Sequence, residues 1–473
     1  MSVTALLFAF IYLGGICAAI FNPVMGVALY VLVYHLNPET QWWAPSVQTL
    51  CTRMSFTVAL ATFVGMLVRQ PRLEHDARQF PTPYKLAILF CVVALGSLAW
   101  GLETTDRSYY LAEKLVKLLV FLFILIRCIR TPQHYQLVFY SWLVGILYVG
   151  YQAQGGAGYV RLGRLTGGLG GPDFAESSGL AVHLIATLPL IGAAFFMSRT
   201  WFGRSFALIT GALAVNTLIA TRTRNALVGL FVLALAGAFS LPRKYRVRGV
   251  LGIVVGGFLA VQLADPGWWH RMDSITNYQS DQSAMSRLTF WRAAWDMVSD
   301  HPFGVGLGNF HHVVMDYVPG LEIVRSAHNS VLECLAELGW PGLICYVAVI
   351  LTTLRMLGQT AHAARELPDF ADVVCCRRHT RFHLGWHTMA LRTGLLGYLA
   401  CGMFVTRVFT EDFWLLIGFC LCLRNVSLVM AAEQEVAVQD RLAEGSATAE
   451  VLPDLSGEPP GPLPAPNAGP QLF

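Results

Sequence analysis

Apolar runs long enough to cross a bilayer recur along almost the whole of this chain, and they leave few ways to fold it. A span takes on the order of 20 residues. Within hydrocarbon each backbone N–H and C=O has to be satisfied inside the segment, so such runs become helices. They fall at 3–35, 47–68, 86–102, 111–129, 136–153, 179–198, 206–221, 225–241, 250–264, 329–354, 388–409 and 413–431. Charged residues make up only 13% of the chain, against about 25% in a soluble domain. The expected fold is all-α, a polytopic integral membrane protein with 12 transmembrane helices.

The first run is too long for one simple helix. Asn22-Pro23 interrupts it, so it is either one tilted crossing or a tight helical hairpin that raises the count to 13. It lacks a basic leader and a small-residue cleavage site, and is expected to remain as an anchor. Lys and Arg set the orientation. Arg69, Arg72, Arg78 and Lys85 share one loop, Arg127 and Arg130 another, and Arg199 and Arg204 a third. Arg243, Lys244, Arg246 and Arg248 fill a fourth, and Arg365, Arg377, Arg378 and Arg381 a fifth. These loops alternate, which puts them and the carboxyl-terminal tail in the cytoplasm. The amino terminus joins them if 3–35 crosses once. Loops 103–110, 154–178, 222–224, 265–328 and 410–412 then face outward.

Residues 1–431 read as one membrane domain with the loop 265–328 inserted, and 432–473, rich in Pro, Ala and Glu, as a disordered cytoplasmic tail. The eleven cysteines are mostly scattered through apolar runs without zinc-finger or CxxC spacing, as small buried hydrophobes would be.

Two outward loops carry the chemistry. Thr221-Arg222-Thr223-Arg224-Asn225 sets two arginines against the positive-inside tendency. They either snorkel to lipid phosphates or hold an anionic ligand, since a guanidinium fork meets two phosphate oxygens at once. The long loop reads as a folded unit. Over 284–299 the residues Leu288, Trp291, Trp295 and Val298 recur as on one helix face, with Arg287 and Arg292 off the stripe. His301-Pro302 closes that helix, and Gly304, Gly306 and Gly308 turn the chain back toward the membrane. The G-x-G-x-G spacing is no nucleotide loop, because no strand precedes it and it lies outside the cytoplasm. The loop ends at His328-Asn329, nine residues, Gly339-Trp340-Pro341-Gly342. An imidazole at the membrane surface, leading into a helix, is suited to chemistry on a lipid-borne substrate.

Three ordered blocks resemble the O-antigen ligase and polymerase superfamily over residues 150–355. They are Thr223-Arg224, then Arg287 with its Trp-containing helix and His301-Pro302-Phe303-Gly304-Val305-Gly306, and then the His328 motif. Glu176 stands where many members carry Asn, so no role follows there. Asn22-Pro23-Val24-Met25-Gly26 followed by His35-Leu36-Asn37-Pro38 is also similar to the opening of O-glycosylation ligases associated with exosortase systems. The resemblance implies a GT-C-like, metal-independent and inverting glycosyltransferase of the bacterial inner membrane, facing the periplasm and using no cofactor. It would move a glycan from undecaprenyl pyrophosphate to a hydroxyl of a lipid or protein acceptor, or join lipid-linked repeat units as a polymerase. No nucleic acid is involved.

On that reading His328 is the base. Arg224 and Arg287, supported by Arg222, neutralise the pyrophosphate. Asn329, Asp412 and Lys117 are supporting candidates. Glu411 and Asp412 would orient His328 or replace it as base. Lys114 and Lys117 either touch pyrophosphate or snorkel. His183, His311 and His312 lack metal-ligand spacing. The tryptophans of the long loop suit sugar rings and equally suit a membrane interface. A polysaccharide transporter is less favoured, for want of an internal repeat or midplane charges.

Overall fold

The computed structural model describes residues 2–47, 53–69, 80–161, 163–241, 243–264, 266–273, 282–320, 325–366, 373–375 and 380–450. Each apolar run of the sequence becomes helix. The first half of the chain holds α1 (Val3–Phe21), α2 (Pro23–Leu36), α3 (Met54–Arg69), α4 (Thr82–Trp100), α5 (Asp106–Cys128), α6 (Pro132–Gln154), α7 (Ser177–Met197) and α8 (Trp201–Thr221). After these come α9 (Arg224–Ser240), α10 (Arg243–Leu263), α11 (Pro266–Asp273), α12 (Gln282–Asp300), α13 (Phe310–Tyr317), α14 (Ser330–Glu366), α15 (Leu384–Gly402) and α16 (Glu411–Glu450). Two short antiparallel hairpins interrupt them, β1 (Tyr159–Arg161) with β2 (Arg164–Thr166), and β3 (Val373–Cys375) with β4 (Thr380–Phe382).

Among the described residues six helices are long and apolar enough to cross a membrane: Val3–Phe21, Thr82–Trp100, Ser177–Met197, Trp201–Ala220, Ser330–Ala364 and Glu411–Val436. Met54–Val68 and Arg224–Ser240 are shorter apolar helices. The larger count expected from sequence includes helices such as α5, which carries Asp106, Arg107, Glu113, Lys114 and Lys117.

Residues 3–35 fold as the hairpin. Gly15 packs against Leu29 and Gly26 against Ala19, which requires antiparallel legs about Asn22. The local cause is helix capping: the Asn22 side chain accepts from Val24 N at 3.3 Å and Pro23 opens α2. Asn37, left-handed at φ 43°, ends α2. The Asn-Pro pairs thus have an ordinary structural role. α3 runs parallel to α1, with the Tyr12 hydroxyl donating to Met54 O at 3.1 Å. Val3 therefore lies at the same end of the bundle as Leu36.

Loops assigned to the same face by charge meet in space. At one end Leu102 N donates to Val305 O at 3.0 Å, Gln152 Nε2 to Gln41 Oε1 at 2.7 Å, and Arg407 Nη1 to Asp173 O at 2.8 Å. At the other end Gln136, Met197, Arg199 and His383 surround one cavity. Between these ends α7 packs on α8, α9 and α15, with Gly229 and Gly397 against Ile185. Small residues at such crossings let helices approach where no hydrophobic force drives them together.

The described part of segment 265–328 folds as a unit. α12 buries Phe290, Ala293, Ala294 and Met297 against Val305, Phe310, Val314, Ala327 and Ala336. Leu288 and Trp295 are about half exposed, at 49% and 52%. Val298 of the same stripe is buried and Trp291 partly so, which divides that helix face between core and surface. Trp295 instead lies edge-on to Trp340, with ring centroids 6.4 Å apart.

α16 continues to Glu450, past residue 432 where a disordered tail is expected from sequence. Residues 451–473 lie outside the described residues. Met1–Val429 cluster as one compact unit and Met430–Phe473 as another.

Candidate active site

The frame of the site is a break in α14. Gly339 has φ 63° and ψ −164°, which removes it from the helix and frees carbonyls one turn earlier. The glycine loop takes them up: Val305 N donates to Ala336 O and Gly306 N to Glu337 O, both at 2.9 Å. In return Trp340 N donates to Pro302 O at 3.0 Å. A Cβ at Gly339 would collide with the backbone of Pro302 and Phe303, and one at Gly304 with Glu337 O. Non-helical backbone at such a depth is tolerated only where protein satisfies it. The His-Pro-x-Gly-x-Gly block and the Gly339 motif are thus two sides of one contact.

Two carboxylates of α14 complete it. Glu337, fully buried, accepts from Gly308 N at 2.9 Å and Phe310 N at 3.3 Å. One turn earlier, Glu333 accepts from Ala327 N at 2.9 Å and from the Thr406 hydroxyl. Both fall among the nine unspecified residues of the His328 motif, and the sequence reading passed over them. Their signal was available, as two acidic residues four apart in an otherwise apolar run.

His328 sits just before α14 in the left-handed region, at φ 49°. Among the described residues it, Arg222 and Asn37 are the non-glycines with positive φ. Asn329 acts as a helix cap, its Oδ1 accepting from Val331 N at 3.0 Å and Leu332 N at 3.2 Å. Ser330 Oγ then donates to Val405 O and accepts from Arg407 N, each at 2.9 Å. On the other side Trp291 Nε1 donates to Ala327 O at 2.9 Å and fixes α12 over the segment. Arg287 lies one turn before Trp291, on the same face of α12.

Burial, and after it the Arg287 guanidinium, hold the His328 pKa below the ordinary histidine value, while Glu176 pulls it up and Arg325 lowers it. Nearby, burial and then Arg107 bring His311 down to about 4, with His312 and His328 adding to the effect. The imidazole of His328 is therefore neutral at pH 7, the form a proton acceptor needs. Arg287, Glu176 and Arg325 come to it from three separate segments. Arg107 and Arg325 were missed in sequence. Arg107, in the first turn of α5, falls in the segment 103–110 that the alternation of basic loops assigns to the outer face, where it runs against the positive-inside tendency as Arg222 and Arg224 do.

The remaining candidates stand on other elements. Arg222 ends α8 and packs its guanidinium against Gly267 and Gly163, where an added Cβ would stand 2.6 Å from Nη1. Arg224 opens α9 at the same end. Lys117 pairs with Glu113 one turn away on the exposed face of α5. It is Lys114 that turns inward, reaching Asp173 Oδ1 at 2.7 Å. Asp412 is held by Arg407 Nη2 at 2.6 Å and by the Tyr398 hydroxyl at 3.0 Å, with His183 Nδ1 at 3.9 Å. Glu411 accepts from the Tyr30 hydroxyl at 2.6 Å. Both carboxylates thus belong to a neighbouring buried network. No group of three or more His, Cys, Asp or Glu positioned for a metal ion occurs among the described residues.

Residues 209–347 match the family model described as O-antigen ligase. Over that stretch the chain is similar to the O-antigen ligase family. The matched stretch runs from within α8 to just past the Gly339 break, and holds Arg222, Arg224, Arg287, His328 and the glycine loop. Glu176, Arg107 and Arg407 come from outside it. The match does not extend to the amino-terminal Asn-Pro pairs that resemble one subgroup. No curated protein matches the chain.

Proposed function

We propose that this protein transfers a glycan from a lipid pyrophosphate to an acceptor hydroxyl at the periplasmic face of the bacterial inner membrane. What supports this is the half-buried His328 at the start of α14, where burial and Arg287 hold its imidazole below the ordinary histidine range and Glu176 and Arg325 also act on it. His328 takes the acceptor's proton as that oxygen attacks the anomeric carbon. The bond from that carbon to the pyrophosphate oxygen breaks, and the charge left on the leaving group is met by arginines. Arg287 is nearest in role, with Arg224 and Arg222 at the ends of α9 and α8 on the donor's path. A guanidinium suits this because its fork fits two phosphate oxygens in a site poor in water. One displacement inverts the anomeric centre. A transfer assay with lipid-linked glycan and a choice of acceptors tests the reading directly. Repeat-unit polymerisation is the alternative outcome within the same chemistry.

The orientation has its own test. Reporters active only in the periplasm should light up when fused near Gln282 and stay dark near Asp372 and Thr448. Activity at Asp372 would invert the topology and remove the periplasmic site.

Arginines replace a divalent cation in this mechanism. Purified protein is expected to keep transferring glycan in excess chelator. Loss of activity that magnesium or manganese restores would sink the metal-free reading.

A further inference from the structure

The end of the bundle opposite His328 holds a cavity of about 260 Å³, lined by Gln136, Tyr140, Met197, Arg199, His383 and His387. His387 is 1% exposed, and neither of its ring nitrogens has a hydrogen-bond partner among the described residues. Aromatic rings surround it: Phe382 stacks on it at 4.7 Å between centroids, and Phe139 and Tyr135 meet it edge-on at 4.6 Å and 5.0 Å. A buried polar group in that state is costly unless something pairs with it. The cavity is where a partner can reach it.

The chemistry around His387 favours an anion. Arg199 brings a guanidinium, Gln136 an amide and His383 a second imidazole. In sequence Arg377, Arg378 and Arg381 immediately precede His383. Height adds a second argument. The candidate span Ser177–Met197 ends at the cavity wall, which sets the cavity at headgroup level. Its volume is below the roughly 300–1,000 Å³ of pockets that enclose larger ligands. A headgroup fits where a glycan does not. Basic pockets between helices at a membrane surface are suited to anionic lipids.

We propose that this cavity binds the phosphate of a lipid headgroup, with His387 and Arg199 as its direct ligands. The proposal is independent of glycan transfer, because binding is read without donor or acceptor. Full-length protein in detergent is titrated with short-chain phosphatidylglycerol, with the matching diacylglycerol as the phosphate-free control. The wild type should bind the first and not the second. His387→Leu, which removes an unpaired polar group and so should fold, and Arg199→Gln at an exposed position should each weaken binding roughly tenfold or more. Inorganic phosphate should compete poorly. Competition by inorganic phosphate at equal strength would overturn the lipid assignment in favour of a soluble phosphate. Equal affinity in the wild type and both variants, or binding of the diacylglycerol, would overturn the site.

Discussion

His328→Ala is expected to lower turnover by about 10²–10⁴-fold, the range for losing a general base, and to leave donor affinity near that of the wild type. Arg287→Ala should weaken donor binding as well as turnover. Arg287→Lys should recover little, since a point charge does not reproduce the planar fork. The pH profile sharpens the distinction. The His328 pKa is held below its ordinary value of 6.5, so the base is already neutral there. Rate should stay level as pH falls toward that value and decline only on its acid side, as the imidazole protonates. His328→Ala should lose that acid limb. Single-turnover rate and donor affinity are measured on protein shown to be folded in membranes. A His328→Ala enzyme of near-normal rate would refute the base, and unchanged donor affinity in Arg287→Ala would refute the clamp.

Much of the scaffold was legible in sequence because hydrocarbon admits few backbone solutions. Apolar runs gave helices, and the alternation of basic loops sorted their ends. Asn22-Pro23 announced a break, but only packing decided for the hairpin: Gly15 against Leu29 is a contact between residues that a single tilted helix would keep apart. On α12 Phe290, Ala293 and Met297 repeat as regularly as Leu288, Trp291 and Trp295, so the spacing marks a helix without saying which face is buried. Spacing cannot rank two helical stripes when the smaller residues form the core. His328, Arg287 and Asn329 were visible as a motif. Asp412 was not separable from them, because its pairing with Arg407 depends on the turn between α15 and α16. Glu333 and Glu337 were passed over although two acids four apart in an apolar run are a signal. What the sequence alone does not give is their role: Glu337 is spent on the N–H groups of Gly308 and Phe310, and it holds the glycine loop in place.

That loop gives the largest structural effect. Gly339→Ala should sharply reduce the yield of folded protein and its melting temperature. Its φ of 63° and ψ of −164° lie in a region essentially reserved for glycine, so the backbone alone costs about 1–3 kcal/mol. The new methyl meets the backbone of Pro302 and Phe303, which cannot rotate away as a side chain would, and overpacking adds about 1–3 kcal/mol. Pushing that loop out breaks the bonds from Val305 and Gly306 to α14 and leaves Ala336 O and Glu337 O without their donors. The unit that carries Arg287 toward His328 loosens with them, so activity should fall even in the fraction that folds. Gly358→Ala is the control, on the same helix in open space. There the substitution should be neutral or stabilise by about 0.5–1 kcal/mol through helix propensity. Melting is followed by fluorescence in detergent for both variants. If Gly339→Ala melts with Gly358→Ala and the wild type, the crossing of the glycine loop over the α14 break is not what holds the site together.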